Sequence, residues 1–246
     1  DVNIPLAHTV LDQLDDRWYG ILAVRVYDAA SKGDDIDPVI PAATGVELLR
    51  AYIRLRSQLL LTHTENHAPS HRFDPDVALL AGDYFHSAAF SSLSTVPDIH
   101  AGVCFELIMS ASRTITRLFS QTDPTADSAD YTYEKLLDEL AGLLGKTAAA
   151  LGATIAGVDD LQRQQFERLG SALGASRELN QILSPTETDA LIVPLSVDET
   201  RLCNRAKQRR TDIDQLFEIL SKNIDVAGLQ AVSELYETAY NQQYFL

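Results

Sequence analysis

Residues 79–94 read LLAGDYFHSAAFSSLS. Apolar side chains recur three and four apart through this stretch, which is the spacing of one helical face. Gly82 and Ala89 lie among them, and small residues spaced along a helix mark a face that packs closely on a neighbour. A turn-rich segment, HAPSHRFDPD at 67–76, stands just before it. The spacing predicts a helix over about 74–94.

The same period continues in both directions. It predicts helices over 5–14, 17–31, 39–62, 99–121, 131–156, 159–183, 197–222 and 225–242. Breaks fall at SKGDDIDP (31–38), SQTDPTADSAD (120–130) and SPTETDALIVP (184–194), where Gly, Pro, Asp and Ser favour turns. There is no strand array, no sustained heptad and no internal repeat. The fold expected is all-α: one domain over 1–246, a bundle of about nine long, mostly antiparallel helices.

The 246 residues are 46% apolar, enough for a sizeable core. Asp and Glu outnumber Lys and Arg 35 to 20, a formal charge of −15, and no cationic stripe could follow a phosphate backbone. No nucleic-acid partner is expected. Five lysines stand against fifteen arginines, and Asp is nearly twice as common as Glu. That skew is similar to halophilic proteomes, in which a solvated acidic surface keeps proteins soluble at high ionic strength.

Cys104 and Cys203 are far apart and lack metal-ligand spacing, so neither a disulfide framework nor a zinc site is expected. No run of about 18 apolar residues is present, so no membrane span is expected. The opening DVNIPLAH lacks the basic and apolar regions of a secretory leader. The expected location is cytoplasmic. The first residue is not Met, and further N-terminal residues are expected.

With Leu80, Gly82, Asp83, Ala89 and Phe90, residues 79–94 resemble the L-x-G-D-x-L-x-x-x-A-F helix of the polyprenyl synthase family. These are the trans-prenyltransferases that make geranylgeranyl diphosphate and related chains. IPAATGVELLRAY at 40–52 is similar to the family's A-x-x-V-E-L-x-H-x-x-S. Tyr133 followed by GATIAG at 152–157, and the LG at 173–174, keep the family's spacing. The resemblance covers nearly the whole chain. It implies an isoprenoid-synthase-like bundle around a central cavity, in which an allylic diphosphate is ionised and coupled to isopentenyl diphosphate.

That chemistry uses two D-D-x-x-D segments, whose carboxylates share a helical face and hold magnesium against the diphosphate leaving group. In the family's frame, Ser57, Gln58 and Leu61 replace the first set of aspartates. Gln181, Ile182 and Pro185 replace the second, and Arg177 and Glu178 replace a Phe-Gln pair. The family's Gly-Lys-Arg, which binds isopentenyl diphosphate, becomes Asp15-Asp16-Arg17. HAPSHR at 67–72 replaces an arginine pair. The family's Lys-Thr pair would fall on Leu140 and Ala141. Lys146-Thr147 lies six residues later, which turns a helical side chain by roughly 240°, so the local KTA is read as a coincidence. No magnesium ligands, and hence no metal cofactor, are expected.

Arg50 and Arg54 share a helical stripe with Glu47 and Gln58, while Arg56 faces elsewhere. Arg17, Arg50 and Arg54 are candidates for binding an anion directly. Alternatively, the helix arginines pair with internal carboxylates such as Glu178 or Asp83, because buried charges need partners with or without a ligand. His63, His67 and His71 have four-residue spacing, but Pro69 interrupts it and no metal site is expected. NRAKQRR at 204–210 reads as a solvated helix face. No G-x-S-x-G, H-E-x-x-H or Gly-rich phosphate loop occurs.

The resemblance without its metal motifs implies a catalytically silent partner or regulatory subunit, as a homodimer or as a heterodimer with an active prenyltransferase. Two alternatives stay open. One is a stand-alone binder of an isoprenoid or other apolar ligand, with Tyr52 narrowing the tunnel. The other is a divergent active prenyltransferase using unrecognised ligands.

Overall fold

A computed structural model describes residues 5–14, 16–31, 35–64, 74–121, 133–183, 191, 199–222 and 224–233, apart from the side chains at 13, 60–64, 133 and 134. Eight α-helices are bounded within them: α1 (Pro5–Gln13), α2 (Trp18–Ala30), α3 (Ile40–Thr64), α4 (Pro75–Ser92), α5 (Asp98–Ser120), α6 (Tyr133–Ile155), α7 (Asp160–Leu183) and α8 (Glu199–Leu220). Helical backbone resumes over 227–233, and the described residues contain no strand. The all-α fold expected from periodicity is the one observed. The eight bounded helices end within about two residues of their expected limits, the uncertainty normal for helix ends.

The boundaries have local causes. Asp74 caps α4, its carboxylate accepting the Asp76 N–H at 2.9 Å and the Val77 N–H at 3.4 Å, and Pro75 at the first helical position needs no N–H partner. Asp159 accepts the Gln162 N–H at 2.8 Å at the start of α7. At the end of α6, Gly157 takes φ 73°. Val158 N–H bonds to the Ala153 carbonyl at 3.3 Å and Gly157 N–H to the Thr154 carbonyl at 3.0 Å. That pair of bonds satisfies carbonyls left over at the helix end, and only glycine adopts its backbone angle without penalty.

Helix α6 is central, packing on α7 most extensively and also on α2, α3 and α5. Its closest approach to α7 is backbone to backbone. A methyl group on Gly145 would lie 2.0 Å from the Gly170 carbonyl oxygen. On Gly174 it would lie 2.3 Å from the carbonyl oxygen of Ala141. On its α2 side, Gly152 meets the Ala23 carbonyl in the same way, at 2.3 Å.

Around α6 the apolar faces of all eight helices join one buried cluster, including Leu22, Val46, Ile53, Phe85, Ile108, Leu144, Phe166 and Ile213. Cys104, buried in α5, and Cys203 are both free thiols, and burial pushes Cys104 up to about 11. The described helices include none long and apolar enough to cross a membrane.

Two surface features bear on function. Leu80 and Tyr84 on α4 and Ile99, Val103 and Phe105 on α5 are exposed, Ile99 by 83%. Phe90 and Phe105 join these helices with ring centroids 5.2 Å apart. The basic run at 204–210 is more than a solvated face. Arg209 donates to both carboxylate oxygens of Asp138 on α6, at 2.6 and 3.2 Å, and so ties α8 to the central helix.

Gly145→Ala is expected to lower stability by about 1–3 kcal/mol through overpacking, even though alanine is the better helix former. Gly102→Ala on α5, where an added methyl meets nothing within 4 Å, is expected to raise stability by up to about 1 kcal/mol. Chemical denaturation of the two variants checks both signs.

Candidate functional site

The site starts from the spacing in α3. Glu47, Arg50, Arg54 and Ser57 follow at three- and four-residue intervals, so they share one face, and all four are buried. Opposite them α7 contributes Arg177 and Glu178, exposed by 2% and 0%. Trp18 and Tyr19, at the start of α2, supply aromatic walls. The remaining member is Asp16, in the turn between α1 and α2.

Asp16 joins the two arginines. One carboxylate oxygen accepts from Arg50 Nη1 and the other from Arg177 Nη2. Arg50 also lies 3.5 Å from Glu47, and Arg177 Nη1 donates to Glu178 at 3.1 Å. Glu47 accepts the Gly20 N–H at 2.7 Å, and Glu178 accepts the Leu191 N–H. Both guanidinium groups lie over the Tyr19 ring, at 5.6 and 5.7 Å from its centroid, and Arg177 lies 5.5 Å from that of Trp18. Arg54 is buried one turn along α3 and is also engaged.

Burial by itself would raise the Asp16 carboxyl, but Arg177 and then Arg50 outweigh it and hold the group well below the usual carboxylate range. For Arg50, burial and the neighbouring Arg177 oppose the charge, while Glu47 and Asp16 more than restore it. Burial raises Glu178 against the pull of Arg177, and it pushes the Tyr19 phenol far up, with Glu178 adding to the effect. The cluster is therefore a self-compensating ionic core, with mutual pairing in place of water.

The three candidate anion-binding arginines do not converge. Arg50 and Arg54 are buried in α3, whereas Arg17 is exposed. Arg17 lines a groove of about 730 Å³ between α2 and α3, together with Ile21, Val24, Arg25, Ile40 and Glu47. Internal pairing of Arg50 is observed, with Asp16 and Glu47 as its partners. Asp83 instead pairs with Arg56 at 3.6 Å.

Of the positions set against the aspartates, Ser57 is buried with its hydroxyl on the Ile53 carbonyl at 2.8 Å. Gln58 and Gln181 are half-buried, each with a side-chain oxygen lacking a hydrogen-bond partner among the described groups, and Ile182 packs on the core. The Leu61 side chain and Pro185 lie outside the described residues, as do the side chains of His63, His67 and His71. Magnesium, which the resemblance implies, is a hard cation that is held by carboxylates. The hydroxyl, two amides and one alkyl group at these four positions supply none. The described residues contain no group of three His, Cys, Asp or Glu side chains placed to hold a metal.

Leu140 and Ala141 are fully buried in α6 against α7. Lys146 is half-exposed, 3.4 Å from Glu167, and Thr147 bonds to the Leu143 carbonyl at 2.8 Å. Sequence reasoning noted Asp16, Arg177 and Glu178 one at a time but missed that they meet. The available signal was charge arithmetic, since an aspartate had replaced a lysine while arginines had entered two other segments.

No protein-family model matches the chain. A short chain isoprenyl diphosphate synthase of Methanocaldococcus jannaschii is 24% identical over 160 residues, covering 60% of this chain and 47% of that protein. The matched region thus spans about half the length of this curated relative. A geranyltranstransferase of Methanosarcina mazei superposes with TM-score 0.64 at 18% identity, covering 91% of this chain and 83% of its own. The small subunit of geranyl diphosphate synthase from Antirrhinum majus gives 0.60 at 19%, covering 89% and 82%. An isoprenoid synthase family member from Thermotoga neapolitana gives 0.66 at 15%, covering 96% and 90%. The chain has the all-α isoprenoid synthase fold, and the curated match supports its resemblance to the polyprenyl synthases.

Asp16→Asn leaves two buried guanidiniums without their shared carboxylate and is expected to cost about 3–5 kcal/mol at neutral pH. Because the folded-state value of Asp16 is depressed, its contribution is complete above the ordinary value of 3.8 and is lost as pH falls below it. Glu178 has the opposite sign, since its raised value makes a contribution that is complete below 4.5 and lost as pH rises. Denaturant titrations across acid pH should therefore show a flatter acid limb for Asp16→Asn than for the wild type. Glu178→Gln should instead flatten the decline on the neutral side.

Proposed function

We propose that this chain is a catalytically silent relative of the isoprenyl diphosphate synthases that serves as partner or regulatory subunit of an active prenyltransferase. The observation that carries the reading is the shared Asp16 carboxylate between Arg50 and Arg177. A carboxylate stands where the resemblance sets a lysine for isopentenyl diphosphate, so the repulsion of a substrate diphosphate is built in. The neutral side chains at Ser57, Gln58, Gln181 and Ile182 add to it, because without metal ligands the leaving group is not neutralised.

The pairing half of the proposal rests on the exposed apolar residues of α4 and α5. Ile99, Leu80 and Phe105 together offer a surface whose burial against a second helical chain is favourable, and such patches mark interaction sites. The similarity to a synthase small subunit points the same way. A homodimer through this face is the variant of the proposal that needs no second gene product.

The groove between α2 and α3 favours a second reading, the stand-alone binder of an apolar ligand. Its walls are largely aliphatic, with Arg17 and Arg25 at hand for a polar head. Tyr52, expected to narrow the tunnel, is buried against Gly82 and His86.

The purified chain, given isopentenyl and allylic diphosphates with magnesium, is expected to form no prenyl diphosphate product. Affinity capture from the native host is expected to recover an active synthase. Clear product formation by the chain alone would establish the divergent-enzyme alternative and sink the proposal, and capture without any synthase would remove the partner role.

A further inference from the structure

Two buried guanidiniums facing each other create a strong demand for an anion. Arg50 and Arg177 come from different helices, are exposed by 0% and 1% at their side chains, and lie over the same tyrosine ring. Each takes a different oxygen of one carboxylate, which is also how a pair of arginines grips a phosphate-type oxyanion. Arg50 keeps more donors than the cluster uses. Its Nε and Nη2 are buried without a hydrogen-bond partner among the described groups, as is the Tyr19 hydroxyl. Buried donors of this kind are costly when left unmade.

The carboxylate that fills the site is unlike its neighbours. Glu47 and Glu178 sit on helices and are each held by a backbone N–H, from Gly20 and from Leu191. Asp16 sits in the turn between α1 and α2, accepts the Trp18 N–H two residues on at the longer distance of 3.4 Å, and reaches solvent at 16% side-chain exposure against 9% for Glu47. The next residue, Arg17, has φ 45° and ψ 34°, a left-handed conformation that strains a side-chain-bearing residue. The turn thus pays a backbone penalty while presenting Asp16 to the arginines.

We infer that Arg50 and Arg177 form an oxyanion site that the chain keeps shut with its own carboxylate, Asp16 acting as a tethered internal ligand. The ligand class excluded by Asp16 is a phosphate-type oxyanion. A tethered carboxylate competes at the high effective concentration of an intramolecular group, so a free anion meets an occupied site. The inference holds for the isolated chain and does not depend on pairing with a synthase.

The test uses the full chain and inorganic pyrophosphate, followed by calorimetric titration. The wild type is expected to show weak or no saturable binding. Asp16→Ser, which removes the carboxylate and opens space, is expected to bind at least about tenfold more tightly, as charge-assisted bonds to two guanidiniums would give. Adding Arg50→Met to that variant is expected to abolish the gain. A folded Asp16→Ser that binds no better than the wild type overturns the inference, as does a gain that survives Arg50→Met. If Asp16→Ser does not fold alone, pyrophosphate but not sodium chloride of equal ionic strength must restore its melting transition, and failure of that rescue also overturns it. Product assays and affinity capture read the proposed function separately, so either idea can fail without the other.

Discussion

The structure turns on one carboxylate shared by two buried guanidiniums. Arg50 and Arg177 would repel each other across a dry interior, and no apolar packing could compensate for that repulsion. Asp16 removes the conflict, and in doing so it ties the turn before α2 to α3 and α7 at this end of the bundle. The Tyr19 ring beneath both arginines and the backbone bonds to Glu47 and Glu178 complete an arrangement in which each ion depends on the others.

The fold was legible in the sequence because it rests on local signals. Alternation at three and four residues fixed the helices. The turn-rich segment at 67–76 marked one end, where Asp74 and Pro75 cap α4, and the ends at Gly157 and Asp159 rest on the same short-range capping chemistry. The glycines read as family markers, Gly152 and Gly174, turn out to be points where backbones touch. A packing requirement of that kind is independent of the chemistry of a site.

The site was legible only in part, because its meaning is nonlocal. The sequence showed Asp16 and Arg177 as separate departures from a family pattern, and Arg50 as one charge on a helical stripe. That they form one compensated unit depends on a contact spanning 161 residues between Asp16 and Arg177, which no periodicity encodes. The basic run at 204–210 is the largely solvated face its sequence suggested, but the pairing of Arg209 with Asp138, 71 residues away on another helix, could not be read from it. Arg17 and Arg50, grouped by their charge, are separated by burial.

The glycine seam between α6 and α7 has a mechanical consequence. Where two helices touch largely through carbonyl oxygens and α-carbons, few side chains can change rotamer and take up a displacement. Sliding or rolling one helix on the other would collide backbone with backbone within a fraction of an ångström. The pair forms a stiff keel, so a displacement within this bundle is accommodated more readily where side chains separate the helices.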